Sequence, residues 1–475
     1  MKIHNIRFGH ATNSSSSHSF IFDPNVSADQ DEYEDCFGLD FFTLVTPEAK
    51  QQYMAATLAA NLRDTGLSNG FVNAILSGLS LPADSTHGID HQSVYCLPHE
   101  FGTDLISLDF FHELRNYFTR DGVVILGGND NTEDEHDLYD SSKSLPVANS
   151  LPKDSSVGAY VCRQDGDWWT LYHKDTGARI VLSFKENPAP FEPKTPMLMD
   201  VKITDFCTHG CAYCYQGSTP QGLHMDSNKI WNFASSLHEA NVFEIAIGGG
   251  EPTQFPEFES FVQRVSGMGV VVNFTTRSTD WLENEKRANE ILPAIGAFAF
   301  SADEQNYKTI ERIKTIFDYR GYDSNKFAVQ LVPAAISEYV LITILEMCAN
   351  MHIRVTLLGF KETGRGSKFK EIAIKRSWNK FDESTWIKTV AKLNETHECP
   401  QLSIDTTLAG RYESDIRAAG IPDWLYHVTE GQYSMYIDLV ANKCGPSSYH
   451  PNKMVDIIEH ETIENMFEHI EPTLD

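Results

Sequence analysis

Three cysteines stand close together in "CTHGCAYC", residues 207 to 214: Cys207, Cys211 and Cys214. Thiolates bind soft or borderline metals, so zinc, copper(I) and iron–sulfur clusters are the chemistries to weigh. A structural zinc site usually takes four ligands as two separated pairs. Cys211 and Cys214 make one C-x2-C pair, but no second pair exists, and His209 would close a tetrahedron only under strain. A thioredoxin-like redox pair leaves Cys207 unexplained. A cubane cluster held by three thiolates fits better, because it leaves one iron without a protein ligand and chemistry at a metal needs an open position. The other cysteines, Cys36, Cys96, Cys162, Cys348, Cys399 and Cys444, are scattered and make a poor disulfide framework. They are expected mainly as small buried hydrophobes.

Such a loop needs elements to hold it. It follows the strand candidate "MLMDVKI" (197 to 203). Helix-like "SNKIWNFASSLHEA", strand-like "VFEIAIGGG", helix-like "FESFVQRVSGM" and strand-like "GVVVNFTT" come next. A helix over roughly 283 to 292 precedes "IGAFAFSA" (strand), "NYKTIERIKTIFDY" (helix), "KFAVQLVPA" (strand), "EYVLITILEMCANM" (helix) and "IRVTLLGF" (strand). Near-continuous apolar strands alternating with helices predict a parallel sheet covered by helices. A closed barrel wants eight such units and this stretch has six, so an α/β fold with an open, partial (β/α)6 TIM-like barrel is expected. In these architectures chemistry gathers at the C-terminal ends of the strands. The cysteine loop ends the first strand, "GGGEPT" (248 to 253) the second, "TTRS" (275 to 278) the third, and Ser301 to Asp303 the fourth. These segments should converge on one face.

The four prolines of "KENPAPFEPKTP" (185 to 196) read as a linker. Residues 1–190 are therefore expected as an α+β accessory domain, 191–380 as the barrel core, and 381–475 as a C-terminal extension. "QLSIDTTLAGRY" and "YSMYIDLVANKCGPSSY" would be additional strands of that extension. In the first part "VNAILSGLSL" reads as helix and "DGVVILGG" as strand. "DWWTLYHKDTGARIVLSF" (167 to 184) reads as a hairpin turning at Asp175 to Gly177, with Trp168 and Trp169 in a core. "NSSSSHS" (13 to 19) is a polar low-complexity run. The acidic run "GGNDNTEDEHDLYD" (127 to 140) reads as an exposed loop, since it lacks the spacing and glycine of an EF-hand.

The formal net charge is −28, which repels phosphate backbones and disfavours nucleic acid as a partner. The clearly basic stretch "KETGRGSKFKEIAIKR" (361 to 376) reads first as a solvated loop and helix face. Its alternative is a substrate-facing role, with Lys361, Arg365 and Lys368 at the entrance of the barrel. No apolar stretch is long enough for a membrane span, and the N-terminus lacks the apolar core of a secretory signal. The expected location is cytoplasmic, without a membrane partner.

The C-x3-C-x2-C pattern after a first strand, followed by Gly-Gly-Glu-Pro after the second, resembles the radical S-adenosylmethionine (radical SAM) enzymes over about residues 196 to 360. The resemblance implies that Cys207, Cys211 and Cys214 hold a [4Fe–4S] cluster whose open iron chelates the amino and carboxylate groups of S-adenosylmethionine. It implies that Tyr213 packs near the adenine and that Gly249, Gly250 and Glu251 meet the methionine amino group. The three cysteines and Glu251 would be the catalytic set. Thr276, Ser278 and Ser301 would serve the carboxylate or ribose. Gln330 and the Leu358 to Gly359 backbone are looser candidates for ribose and adenine. The implied reaction is reductive cleavage to a 5′-deoxyadenosyl radical, which abstracts a hydrogen atom from a peptide or small-molecule substrate. An electron donor such as flavodoxin or ferredoxin is implied as a partner. Many peptide-modifying relatives carry extra clusters in a cysteine-rich C-terminal region. After residue 360 this chain has only Cys399 and Cys444, so one cluster is expected and dehydrogenation is disfavoured. No cobalamin-binding region is evident.

Plainer readings stand beside these. Glu251 could cap a helix, since Pro252 follows it. Thr and Ser after a strand are ordinary turn formers. His209 and Tyr215 read as loop packing. Asp438, in an otherwise apolar strand, reads as a buried hydrogen-bonded group, or else as a substrate or radical-quenching one. The competing function is an iron–sulfur protein with a structural, sensing or electron-transfer role. "GGGEP" discriminates, because an electron carrier needs no ammonium acceptor at that strand end.

Overall fold

The computed structural model describes residues 160–183, 185, 187–369, 385–395, 400–418, 426–458 and 461–474, and before residue 160 only 2–7, 36–37, 42–44, 46–64, 72–73, 76–77, 81–82, 88–89, 115 and 125–127. The polar run at 13 to 19, nearly all of the acidic run at 127 to 140, Cys96, Cys399 and residues 370–376 of the basic stretch lie outside the described residues. The chain divides into two compact units, with the main boundary between Phe191 and Glu192.

The first unit contains a four-stranded sheet in the order Lys2–Arg7, Arg179–Ser183, Trp168–His173, Tyr160–Asp165. Trp168–His173 and Arg179–Ser183 form the expected antiparallel hairpin, with Trp169 opposite Leu182. Its turn closes by bonds from His173 N to Ala178 O and from Gly177 N to His173 O, both 2.8 Å. Trp168 and Trp169 are buried. An 18-residue helix covers Pro47–Asp64, and Ile125–Gly127 pairs antiparallel with Phe42–Leu44.

The second unit is mixed α/β around one large sheet. Its strands are β1 (Leu198–Lys202), β2 (Glu244–Gly248), β3 (Val271–Thr276), β4 (Ala297–Ser301), β5 (Phe327–Leu331), β6 (Arg354–Leu357), β7 (Leu402–Ile404), β8 (Ser434–Asp438), β9 (Lys443–Gly445) and β10 (Val455–Asp456). The order is β7-β6-β5-β4-β3-β2-β1-β8-β9-β10. Strands β1 to β8 all run parallel, and β9 and β10 are antiparallel additions. Among the described residues the sheet stays open, and no helix is long and apolar enough to cross a membrane.

The crossovers contain α1 (Ile230–Glu239), α2 (Phe258–Gly267), α3 (Glu285–Ile291), α4 (Thr309–Arg320), α5 (Glu338–Asn350) and α6 (Thr385–Glu395). In α1 the buried residues are Ile230, Phe233, Ala234 and Leu237, the i, i+3, i+4, i+7 stripe of a helix lying on a sheet. Residues Phe258, Phe261, Val262 and Val265 repeat that stripe in α2. Gly321, in the left-handed region, ends α4.

Alternation along the strands gives the sheet two different faces. Ile245, Ile247, Val272, Phe274, Phe298, Phe300, Val329 and Val355 belong to the buried apolar cluster shared with the helices. Phe298 stacks on Phe274 and meets Trp281 edge-on at 5.0 Å. The opposite face carries small or polar residues: Ala246, Gly248, Thr275, Ala299, Ser301, Ala328, Gln330 and Thr356. A closed barrel fills its interior with branched side chains. Here that face is kept shallow, which leaves room at its C-terminal end.

Both stretches expected as additional strands do form strands. "QLSIDTTLAGRY" supplies β7, which pairs with β6, but its second half is the helix Thr406–Arg411 capped by Asp405. "YSMYIDLV" supplies β8, which pairs with β1. Neither stands apart as an added layer, and both extend the main sheet to eight parallel strands. Without β8, the buried strand β1 would leave a row of unpaired backbone groups at an edge.

Candidate active site at the C-terminal ends of the strands

The cysteine loop leaves β1 and returns on itself. Asp205 N donates to Leu223 O at 2.7 Å, Cys207 N to Thr219 O at 3.1 Å, and Met225 N to Ile203 O at 2.9 Å. The loop is thus pinned at its neck while its tip overhangs the strand ends. The neck also runs along "GGGE": Gly250 N donates to Thr204 O at 2.7 Å and Glu251 N to Phe206 O at 2.9 Å. A Cβ at Gly249 would lie 2.5 Å from Thr204 O, and one at Gly250 would lie 2.1 Å from Phe206 O. These glycines therefore bring two protein segments together. The sequence alone points these glycines only at the methionine amino group.

A cavity opens beneath the loop. It is lined by Cys207, Cys211, Tyr213 and Cys214 from the loop, and by Gly249, Gly250 and Glu251 after β2. Thr276, Ser301, Gln330, Leu358 and Gly359 line it from the ends of β3 to β6. Ser301 and Gln330 are register partners on adjacent strands, and Thr275 Oγ1 donates to Gln330 Oε1 at 3.0 Å. Ser278 does not line the cavity. Its hydroxyl accepts from Asp280 N–H at 3.3 Å, so here the turn-forming reading holds. Asp438 is also away from the cavity lining. It pairs with Lys202 at 2.9 Å and accepts from the N–H groups of Val440 and Ala441, the buried hydrogen-bonded alternative.

Glu251 is 2% exposed, so its charge needs partners. Its Oε1 accepts from Thr276 Oγ1 at 2.6 Å, Thr253 Oγ1 at 2.7 Å and Thr253 N at 3.3 Å. Its Oε2 accepts from Arg277 N at 2.9 Å and has His209 Nε2 at 3.4 Å. Burial works against the charge, but the bonds from His209, Thr276, Arg277 and Thr253 outweigh it and hold the carboxyl below its usual range. Glu251 also caps the short helix Pro252–Gln254, as the plainer reading has it, and it lines the cavity as well. Thr276 is 2% exposed and its hydroxyl is spent on Glu251, which makes it a support for that carboxylate.

On the neighbouring wall, Arg277 Nη1 donates to Tyr213 OH at 2.9 Å and to Asp303 Oδ2 at 2.8 Å, and Tyr213 OH donates to Asp303 Oδ2 at 3.0 Å. Burial pushes the Cys211 thiol up to about 11, with the Arg277 cation pulling against it. Burial raises the Cys207 thiol in the same direction.

Residues 201–328 match the model of the radical SAM superfamily. This chain carries a radical SAM domain. No curated protein matches it in sequence. Among solved structures, Streptococcus suis SuiB bound to precursor peptide SuiA is similar at 14% identity and a TM-score of 0.44, over 58% of this chain and 65% of that chain, just under two thirds of its length. SuiB bound to S-adenosylmethionine is similar at 12% identity and a TM-score of 0.47, over 65% of this chain and 87% of that one. At such values neither likeness bears on reaction or substrate.

Several residues of this radical SAM domain and its flank were missed or placed differently by sequence reasoning. Arg277 was visible in "TTRS" but had no assigned role. His209 and Tyr215, read as loop packing, both line the cavity. Lys361 reads first with a solvated stretch and otherwise at the barrel entrance; it is 7% exposed and lines the cavity, in line with the second reading. Its ammonium lies 4.6 Å from the Tyr449 ring centre, 5.1 Å from that of Tyr215 and 3.5 Å from Asp405 Oδ2. Burial disfavours that charge, yet Asp405, Tyr215, Glu430 and Asp200 hold its pKa above the ordinary lysine value. Lys368 is exposed, as the plainer reading has it. The one available signal was the placement of this basic loop directly after a strand end.

The donor set fits the cluster that such a domain implies. Cys207, Cys211 and Cys214 are free thiols on one cavity. Among the described residues, no three His, Cys, Asp or Glu side chains converge tightly enough to hold a single metal ion. A cubane takes one thiolate per iron, so its ligands stand apart. The Nη2 of Arg365, whose Nε holds Cys211 O, is buried without an acceptor among the described residues, as expected beside a group the chain itself does not supply.

Proposed function

We propose that this chain is a radical SAM enzyme in which Cys207, Cys211 and Cys214 hold one [4Fe–4S] cluster and the cavity beside them binds S-adenosylmethionine. The observation that carries this reading is the convergence of three free thiols and the buried Glu251 carboxylate on one cavity at the strand ends. A cluster held by Cys207, Cys211 and Cys214 would supply the one-electron reductive cleavage of S-adenosylmethionine to a 5′-deoxyadenosyl radical, and with it hydrogen-atom abstraction from the substrate.

The chain's own residues bind and orient. Glu251 Oε2 accepts from the methionine ammonium, on the side where His209 stands at 3.4 Å and can give way. Tyr213, fixed by Arg277 and Asp303, offers its ring to the adenine. Ser301 and Gln330 serve the ribose, and the backbone at Leu358 and Gly359 bounds the base. We read the open sheet as a partial barrel whose shallow inner face accommodates a peptide or small-molecule substrate and excludes water from it. Residues 1–190 are read as an accessory domain, and a flavodoxin- or ferredoxin-type protein as the electron donor.

The test is chromatographic. The full chain, reconstituted and reduced with dithionite, should form 5′-deoxyadenosine from S-adenosylmethionine, slowly even without substrate. A chain that holds its iron and yet forms none under any strong reductant would favour a structural or electron-transfer role.

A further inference from the structure

The loop that follows β6 grips the cysteine loop by its carbonyls. Arg365 Nε donates to Cys211 O at 2.8 Å and Nη1 to Ser218 O at 2.6 Å. The Arg365 backbone N–H donates to Cys214 O at 2.9 Å, and Thr363 Oγ1 to Tyr215 O at 3.1 Å. Gly364 lies between them at φ +55°, where a Cβ would sit 2.3 Å from Tyr215 O. Only glycine lets the two loops approach this closely. These residues lie beyond the 201–328 segment that matches the superfamily model.

A guanidinium presents its N–H groups in a rigid planar fork. With Nε and Nη1 committed, the direction of Nη2 is fixed. It shares an edge of the plane with Nε, and Nε is bonded to Cys211 O. Nη2 is therefore turned to the same side, towards the cysteine loop. It is buried and has no acceptor among the described residues. A buried charged donor without an acceptor is costly, and an acceptor on a group bound at the cysteine loop would relieve that cost.

We propose that Arg365 donates from Nη2 to the iron–sulfur cluster at Cys207, Cys211 and Cys214, and that this charged hydrogen bond raises the cluster's reduction potential. The proposal rests on the function argued above. Reduction adds negative charge to the cluster, and a fixed cation with an N–H on a sulfur stabilises the reduced form more than the oxidised one. A loop outside the matching segment would then set how readily the cluster accepts its electron.

The experiment is a mediator titration of the full chain, reconstituted anaerobically, with the reduced cluster read by electron paramagnetic resonance beside iron content. The parent, R365Q and R365K are compared. R365Q should keep its iron but show a reduced-to-oxidised ratio at least tenfold lower at a fixed potential, a shift of about 59 mV for a one-electron couple. R365K keeps the charge without the fork and should fall between. A parent-like ratio in R365Q overturns the proposal. If R365Q alone loses iron, R365K carries the test, and a parent-like ratio there overturns it. Iron lost from both variants would make Arg365 a structural clamp alone and would also overturn it. A parent chain that takes up no iron would overturn the reading beneath, and the proposal with it.

Discussion

The Arg277 N–H donates to Glu251 Oε2 at 2.9 Å, tying the end of β3 to the end of β2 at the candidate ammonium site. Glu251 is thereby oriented by backbone and held ionised within a buried network. E251Q keeps the shape and removes the charge. Loss of a charge-assisted hydrogen bond costs about 1.5–3 kcal/mol, so S-adenosylmethionine should bind about ten- to over a hundred-fold more weakly. Equilibrium binding to the reconstituted chain measures this, with iron content expected to be unchanged.

Asp303 is the carboxylate on which Arg277 Nη1 and Tyr213 OH both rely. D303A leaves the Arg277 cation partly buried and uncompensated beside Cys211. Removing one partner of a buried pair costs about 3–5 kcal/mol, and the residual exposure here puts the expected loss at the lower end. Urea unfolding of the metal-free chain reads it. D303N, which keeps an acceptor, should recover part of the loss.

Gly250 and Gly267 form a matched pair for testing backbone approach. A Cβ at Gly250 would lie 2.1 Å from Phe206 O, whereas one at Gly267 meets nothing within 4 Å. G250A must push the neck of the cysteine loop away and should cost about 1–3 kcal/mol with lowered iron uptake. G267A, in the last turn of α2, should be neutral or stabilising by up to about 1 kcal/mol. Thermal midpoints and iron content together decide this.

The core was legible because its periodicities are strong. Ile245 and Ile247 alternate with Ala246 and Gly248, and Phe258, Phe261, Val262 and Val265 mark a helix stripe; such local signals predict strands and helices in order. What they do not convey is which strands become neighbours. The pairing of β8 with β1 joins Tyr436 to Asp200 across a separation that no local pattern spans. The site was legible where a motif concentrates its chemistry, as in "CTHGCAYC" and "GGGEP". Lys361 and Arg365 read first as solvated, with the barrel entrance as the alternative, because composition averages over a stretch. Their burial depends on Asp405, Tyr449 and the Cys211 carbonyl, which arrive from distant segments. Ser278 shows the opposite case: its position in "TTRS" is like that of Thr276, yet its hydroxyl accepts from Asp280 N–H, as its plainer turn-forming reading has it.

Glu430 supplies a pH test. Burial pushes its carboxyl up to about 8, against the pull of Lys361 and the Tyr449 hydroxyl, while Asp200 and Asp405 push the same way as burial. An unfolded glutamate titrates near pH 4.3. As pH rises from about 4.3 to about 8, the unfolded chain releases this proton before the folded one, so stability from this group falls through that window and is flat on either side. E430Q keeps the acceptor for Tyr449 OH and removes the titration. Its thermal midpoint relative to the parent should therefore rise between about pH 5 and pH 8 and level off above. A difference that stays constant with pH would contradict the assignment.

The most direct test of the central claim is iron content after anaerobic reconstitution. The parent chain should bind about four irons and turn brown, while the combined C207A, C211A and C214A variant should bind none. C162A and C348A, whose thiols lie outside the cavity lining, should match the parent. Full retention of iron in the triple variant would contradict the account.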